Sequence, residues 1–306
     1  MATICAQARD PSATLPAPAV LAPVLAFLER DADGDKTLRR PAAWDLVQFR
    51  DVAGMHNVGV VAYWDGGRKA WEAWARESGF EAWWGGLEPG ATDVGWFREV
   101  LFPSIDRYET IFSNADVGDE GGARLREGLS GPVREHVYWG SMRDRMPAAQ
   151  VDGLVGETET AGEEAGDGDG PTEGRRDWSD MVPRERKLYL ETMHPVLVRG
   201  MDFLRDEGRA IGCHSCRFVD ELDPADVGRE TERTFGFAFF RDMEALEKWS
   251  KSHRTHLDIF GRFLQYVKEL DGDISLRLFH EVLALTPEQQ LLEYVGCHSR
   301  TGMLGV

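Results

Sequence analysis

Two stretches of this chain follow one plan, and that repetition narrows the folds open to it more than any other feature. Gly59-Val60-Val61-Ala62-Tyr63-Trp64 has the unbroken apolar, β-branched and aromatic make-up of a buried strand. Asp65-Gly66-Gly67 turns the chain, and Ala70-Trp71-Glu72-Ala73-Trp74-Ala75 continues as a helix. Downstream the order returns, with a strand over 234–240, a turn at Arg241-Asp242 and the helix Ala245-Leu246-Glu247-Lys248-Trp249-Ser250. The helical pieces align at an offset of 175, Ala70 with Ala245 and Trp74 with Trp249. Each copy then leads to a further strand, 107–112 in the first and 276–282 in the second. Strand, helix and strand repeated twice predict an α+β fold, one sheet covered by helices on one side. Internal halves are expected at about 50–150 and 175–304 of a single domain spanning 1–306. Equivalent strands of a duplicated pair face a shared cavity, so Glu109 and His280 are expected to look into the same space.

Between the halves, residues 157–173 hold seven acids and no bases among Gly, Ala and Thr. Such a segment has too little apolar surface to order itself and predicts a mobile loop. Residues 185–207 follow as a long helix, with Leu188, Met193, Leu197, Met201 and Leu204 at helical spacing and Gly208 as its stop.

The balance of 35 basic to 53 acidic residues gives a net charge of −18. That excess repels phosphates, which argues against nucleic acid or an anionic membrane surface as partner. Small neutral or cationic molecules suit it better. The stretch 15–28 is interrupted by Pro16, Pro18 and Pro23 and has no basic region before it, so neither a signal peptide nor a membrane span is expected and the location is read as cytoplasmic. Cys213 and Cys216 form a CxxC, but no second closely spaced ligand pair accompanies them, so they read as buried reduced thiols rather than a zinc or redox site.

Of the eight histidines, His56, His136, His194, His214 and His298 read as ordinary surface or core residues. His253 and His256 fall on an apolar stripe of Leu246, Trp249, Phe260, Phe263 and Val267, spaced by threes and fours along one expected helix. Burying an imidazole among aromatics needs a reason, and an axial ligand to haem is one. Periodicity does not choose between the two. His280 shares a strand face with Ile274, Leu276, Leu278 and Val282, which suits either a structural hydrogen-bonder or an acid–base group.

Three segments carry a resemblance: Tyr138-Trp139-Gly140-Ser141-Met142-Arg143-Asp144-Arg145-Met146-Pro147, Ser252-His253-Arg254-Thr255-His256 with Ile259-Phe260, and Leu276-Arg277-Leu278-Phe279-His280-Glu281-Val282. Together they closely resemble the haem-containing aldoxime dehydratases, and the similarity runs from about Asn57 to Leu304. The resemblance implies a lyase that turns an aldoxime into a nitrile and water, with haem b active as Fe(II). It implies two ferredoxin-like halves in a dimeric α/β-barrel-type sheet, a homodimer, and a reductant of unknown identity. His256 would be the proximal iron ligand, His280 the distal acid–base group, Arg145 a distal-pocket residue and Glu109 the support of His280. One departure stands out. The family's Ser-Gly-Gln-Asp-Trp strand end is here Gly174-Arg175-Arg176-Asp177-Trp178, with glycine where a serine holds the oxime hydroxyl. The strand leading to it is expected to be replaced by the acidic loop, so that a serine restored at Gly174 alone would do little. The chain is also expected to lack part of the family's N-terminal packing. Two rivals follow: a haem-binding protein without dehydratase activity, and a peroxidase-like haem oxidoreductase.

Overall fold

The computed structural model describes residues 1–29, 40–113, 120–133, 141–154 and 171–306, with the backbone alone at 171–175. Among them the strands are β1 (Ala2–Ala8), β2 (Ala43–Arg50), β3 (His56–Tyr63), β4 (Val94–Leu101), β5 (Tyr108–Phe112), β6 (Pro171–Asp177), β7 (Cys213–Leu222), β8 (Glu230–Phe240), β9 (Arg277–Leu283) and β10 (Gln290–Val295). They form one sheet in the order β10-β4-β1-β3-β2-β7-β8-β6-β9-β5. Every pairing is antiparallel. The helices are α1 (Ala17–Glu29), α2 (Gly67–Glu77), α3 (Phe80–Gly85), α4 (Met142–Arg145), α5 (Pro183–Leu188), α6 (His194–Asp206), α7 (Met243–Ser252) and α8 (Arg254–Glu269).

The expected repetition is present. A strand, helix, strand, strand, helix and strand succeed one another from β1 to β4 and again from β6 to β9, and within each set the first strand lies between the fourth and the third. The first set begins at Ala2, well ahead of residue 50. β8 shows how the sheet sorts its side chains: Phe235, Phe237 and Phe239 point to one face, and Ala238 and Phe240 to the other. On one face the helices pack, α1 to α3 over the first set and α5 to α8 over the second, each above its own apolar cluster. Residues of both sets meet on the opposite face as the sheet curls, so that Cys5, Phe97, Phe235 and Leu283 belong to one cluster. There Arg217 of β7 reaches Glu99 of β4 at 2.5 and 2.6 Å.

Four expectations need correction. β5 is not the counterpart of β9 across a cavity but its hydrogen-bonded neighbour, because β4 takes the corresponding place in the first set. Glu109 and His280 therefore share a face through adjacent strands. Residues 171–173, expected in the acidic loop, begin β6, which is paired on both edges; ladder bonds from β8 and β9 override the poor local propensity. The rest of that loop, 157–170, lies outside the described residues, as do His136 and Tyr138 to Gly140 of the motif segment. The stripe from Leu246 to Val267 is broken at His253, which is extended and caps α8. Finally, the long helix runs from Pro183 to Asp206 but opens into a π-turn at Tyr189–Met193. No helix among the described residues is long and apolar enough to cross a membrane.

Candidate active site

The register of β6, β8 and β9 builds a floor. His280 pairs with Gly174, Gly174 with Gly236, and Gly236 with Phe218, while Ile111 lies on the other side of His280. Cross-strand partners share a face, so two adjacent glycines leave the sheet bare beside His280 on its helix-bearing side. Met201 of α6 comes down onto this floor: a Cβ at Gly236 would lie 2.6 Å from its Sδ. Gly200 lets α6 close on α8, since a Cβ there would lie 2.5 Å from Ile259 Cδ1.

Glu109 pairs with Val282, two residues from His280 on the same face. Such diagonal neighbours sit about 7–8 Å apart, within reach of long side chains. Glu109 is 3% exposed and accepts a hydrogen bond at Oε1 from Arg145 Nε. Arg145 Nη1 also donates to Ser141 Oγ at 2.9 Å. Burial pushes the Glu109 carboxyl up to about 7, against the pull of Arg145 and with a further push from Glu281. The motif's other arginine, Arg143, donates to Glu247 of α7 at 3.0 Å and to the Gly153 carbonyl at 2.6 Å. One arginine of α4 thus fastens the helix and the other meets the carboxylate.

His256, in the first turn of α8, is 8% exposed and its ring lies 4.6 Å from that of Trp249. Burial pushes its pKa down to about 4, opposed by a hydrogen bond with the Ser250 backbone. It is a neutral imidazole at neutral pH, the form that ligates metals. His253 does other work. Its Nδ1 accepts from the Thr255 backbone N–H at 3.4 Å, and its ring stacks on Phe203 with 4.4 Å between centroids. The structure therefore separates two histidines that periodicity could not.

These residues fit a flat apolar cofactor. A buried neutral imidazole faces a cluster that contains six of the chain's nine methionines, Met142, Met146, Met181, Met193, Met201 and Met243. Thioether side chains repack readily around such a ligand. Cys213 and Cys216 are also in this cluster, and burial pushes the Cys216 thiol up to about 12, which leaves it a core residue at neutral pH.

The comparisons with known proteins bear on this arrangement. The sequence profile of the haem-containing dehydratases matches residues 2–303. The chain belongs to that family. The match reaches upstream of Asn57, to residue 2. An aliphatic aldoxime dehydratase from Rhodococcus globerulus is 37% identical over 86% of this chain and 76% of its own length. A phenylacetaldoxime dehydratase from a Bacillus species is 29% identical over 86% and 78%. A crystal structure of an aldoxime dehydratase in complex with butyraldoxime superposes with a TM-score of 0.86 at 33% identity, covering 99% of this chain and 84% of that one. The dehydratase is accordingly an enzyme, and haem is its cofactor.

Sequence reasoning missed a second group on the same face. Trp178, Tyr189, His194 and Phe218 pack with ring centroids 5.4 to 5.9 Å apart. Arg176, opposite Leu278, joins them and lowers the pKa of His194 after burial has done most of that work. Strand alternation from Gly174 was the available signal; the acidic composition upstream obscured it.

Proposed function

We propose that this dehydratase removes water from an aldoxime to leave a nitrile in the space between β6, β9 and the helices α6 and α8. The observation that carries the reading is a buried His256 on α8, in the helix layer over the sheet face that carries His280 and Glu109, with Arg145 of α4 bonded to Glu109. His256 would hold the haem iron. Haem bound there would supply a ferrous centre able to weaken the oxime N–O bond. Protonated His280 then gives its proton to the leaving hydroxyl, and neutral His280 takes the proton from the aldoxime carbon. The proton count closes, and no electron is consumed beyond initial reduction by a reductant the chain does not contain. Arg145, fixed by Glu109 and Ser141, serves as a rigid donor to the hydroxyl. Positioned acid–base groups of this kind contribute about 10²–10⁴-fold.

We read the two strand–helix sets as ferredoxin-like halves of a barrel-type sheet, a reading supported by the matching succession and strand order; the family resemblance suggests a homodimer, placed in the cytoplasm. Light scattering on the purified protein tests the dimer. The function is tested by supplying dithionite-reduced, haem-loaded protein with phenylacetaldoxime and butyraldoxime and following nitrile by chromatography. Nitrile from either supports the proposal. Intact haem spectra with no nitrile would select a binding protein, and peroxide consumption above that of free haem would select an oxidoreductase.

A further inference from the structure

β5 is the last strand of the sheet and only five residues long, and β9 is its one neighbour among the described strands. A short edge strand held by a single ladder is the part of a sheet that opens or shifts most easily. Yet β5 carries Glu109 and β9 carries His280. The chain neighbours of these two residues are joined on the reverse face. Strand alternation turns Tyr108 and Glu281 away from the helices, to the side of the cluster that holds Leu283. There the Tyr108 hydroxyl donates to Glu281 Oε2 at 2.8 Å, and the Gly122 backbone N–H donates to the same oxygen at 2.9 Å. Glu281 is 2% exposed. Tyr108 stands opposite Leu283, so its bond to Glu281 runs diagonally across the two strands, and sliding β5 along β9 would break it. Thr110, paired with Glu281, adds a bond from its hydroxyl to the His280 carbonyl at 3.0 Å.

Two glycines bring the turn Gly121–Leu125 onto this pair. Gly121 has a positive φ of 53°, and a Cβ there would lie 2.6 Å from Glu281 Oε2. A Cβ at Gly122 would lie 2.9 Å from the Tyr108 hydroxyl oxygen. The backbone is shaped to seat the carboxylate, and hydrogen bonds to a buried carboxylate are short and directional.

We infer that Tyr108 and Glu281 are positioning residues for the dehydration: bracing β5 against β9 from behind the sheet, they hold Glu109 and His280 at their working separation. Neither touches the reacting atoms. The inference rests on the proposed acid–base role of His280.

The test compares the reduced, haem-loaded wild type with Tyr108→Phe, Glu281→Gln and Glu281→Leu, reading kcat and KM for butyraldoxime and the Soret band. Displacing a catalytic group by a fraction of an ångström costs on the order of tenfold in rate, so Y108F should lower kcat by about that factor and leave KM and the Soret band unmoved. E281L should lower kcat at least as far. E281Q, which keeps an acceptor oxygen for the tyrosine, should recover part of the loss. In an H280A background Y108F should cost nothing further, because the brace has no acid–base group left to place. An unchanged kcat in Y108F overturns the inference, and so does a loss that Y108F imposes equally on H280A. A shifted Soret band in Y108F would put the effect at the haem instead and overturn it too. If E281L fails to fold, Y108F decides alone, since it removes one oxygen and keeps the ring. Undiminished turnover in H280A defeats the acid–base reading itself, whereas a silent Y108F beside an impaired H280A defeats only the brace.

Discussion

His253 and His256 lie three residues apart, yet one spends its ring nitrogen on a helix cap and the other is buried against Trp249. That division gives the first prediction at the scale of a residue. H256A should abolish stable haem retention, read from the Soret band and iron content, whereas H253A should retain haem and lose about 1 kcal/mol of stability with its cap. Haem loss in H253A alone would reverse the ligand assignment. His280 carries the second. H280A should leave haem bound and lower nitrile formation by about 100-fold or more; undiminished turnover would make it a core histidine. Glu109 adds a pH dependence whose sign is fixed by burial. Its folded-state pKa is raised from 4.5 to about 7, so its contribution to stability is fully present below 4.5 and is lost as pH rises through 7. Melting temperature followed from pH 4 to 8 should fall across that window, and E109Q should flatten the fall.

At the scale of an element, β6 changes what a substitution at Gly174 is expected to do. An acidic loop would leave a new hydroxyl unfixed. A strand bonded to both β8 and β9, with Gly174 directly opposite His280, holds it beside the acid–base group. G174S is therefore expected to raise kcat by about tenfold, a fraction of what one preorganised donor is worth in a reacting site. Steady-state assay of the reduced enzyme decides, and unchanged turnover would mean that Arg145 and His280 already hold the hydroxyl. The site is otherwise assembled from separate elements: β5 brings Glu109, β9 brings His280, α4 brings Arg145 and α8 brings His256. None of these is near another in sequence except through the sheet.

Across the whole molecule, the two strand sets are tied on the face away from the helices. Arg217 is 3% exposed, Glu99 is fully buried, and Tyr294 of β10 donates to the same carboxylate at 2.7 Å. The Arg217 guanidinium also lies 5.0 Å from the Phe97 ring. Removing one partner strands a charge in the curl of the sheet, so R217M should cost about 3–5 kcal/mol, measured by urea unfolding, and the double variant R217M/E99Q should recover part of it. If the double variant were as unstable as the sum of the singles, the pair would not be the tie between the sets.

The sequence by itself determined the repeated strand–helix plan, a helical course over 185–207 though not its π-turn, and the face of His280, because these depend on periodicity along a few neighbouring residues. The family motifs likewise named Glu109, Arg145, His256 and His280. Pairing across the sheet decided the rest. Which strand lies beside β9, whether residues 171–173 form a loop or a strand, and whether Arg176 enters the helix layer depend on pairing between segments as far apart as Tyr108 and Leu283. Local composition at 157–173 argues for disorder, and at 171–173 the ladders to β8 and β9 on either side override it. His253 and His256 were inseparable for the same reason: a stripe records spacing, and the turn that takes one histidine out of it is fixed by a cap and by Phe203 on another helix.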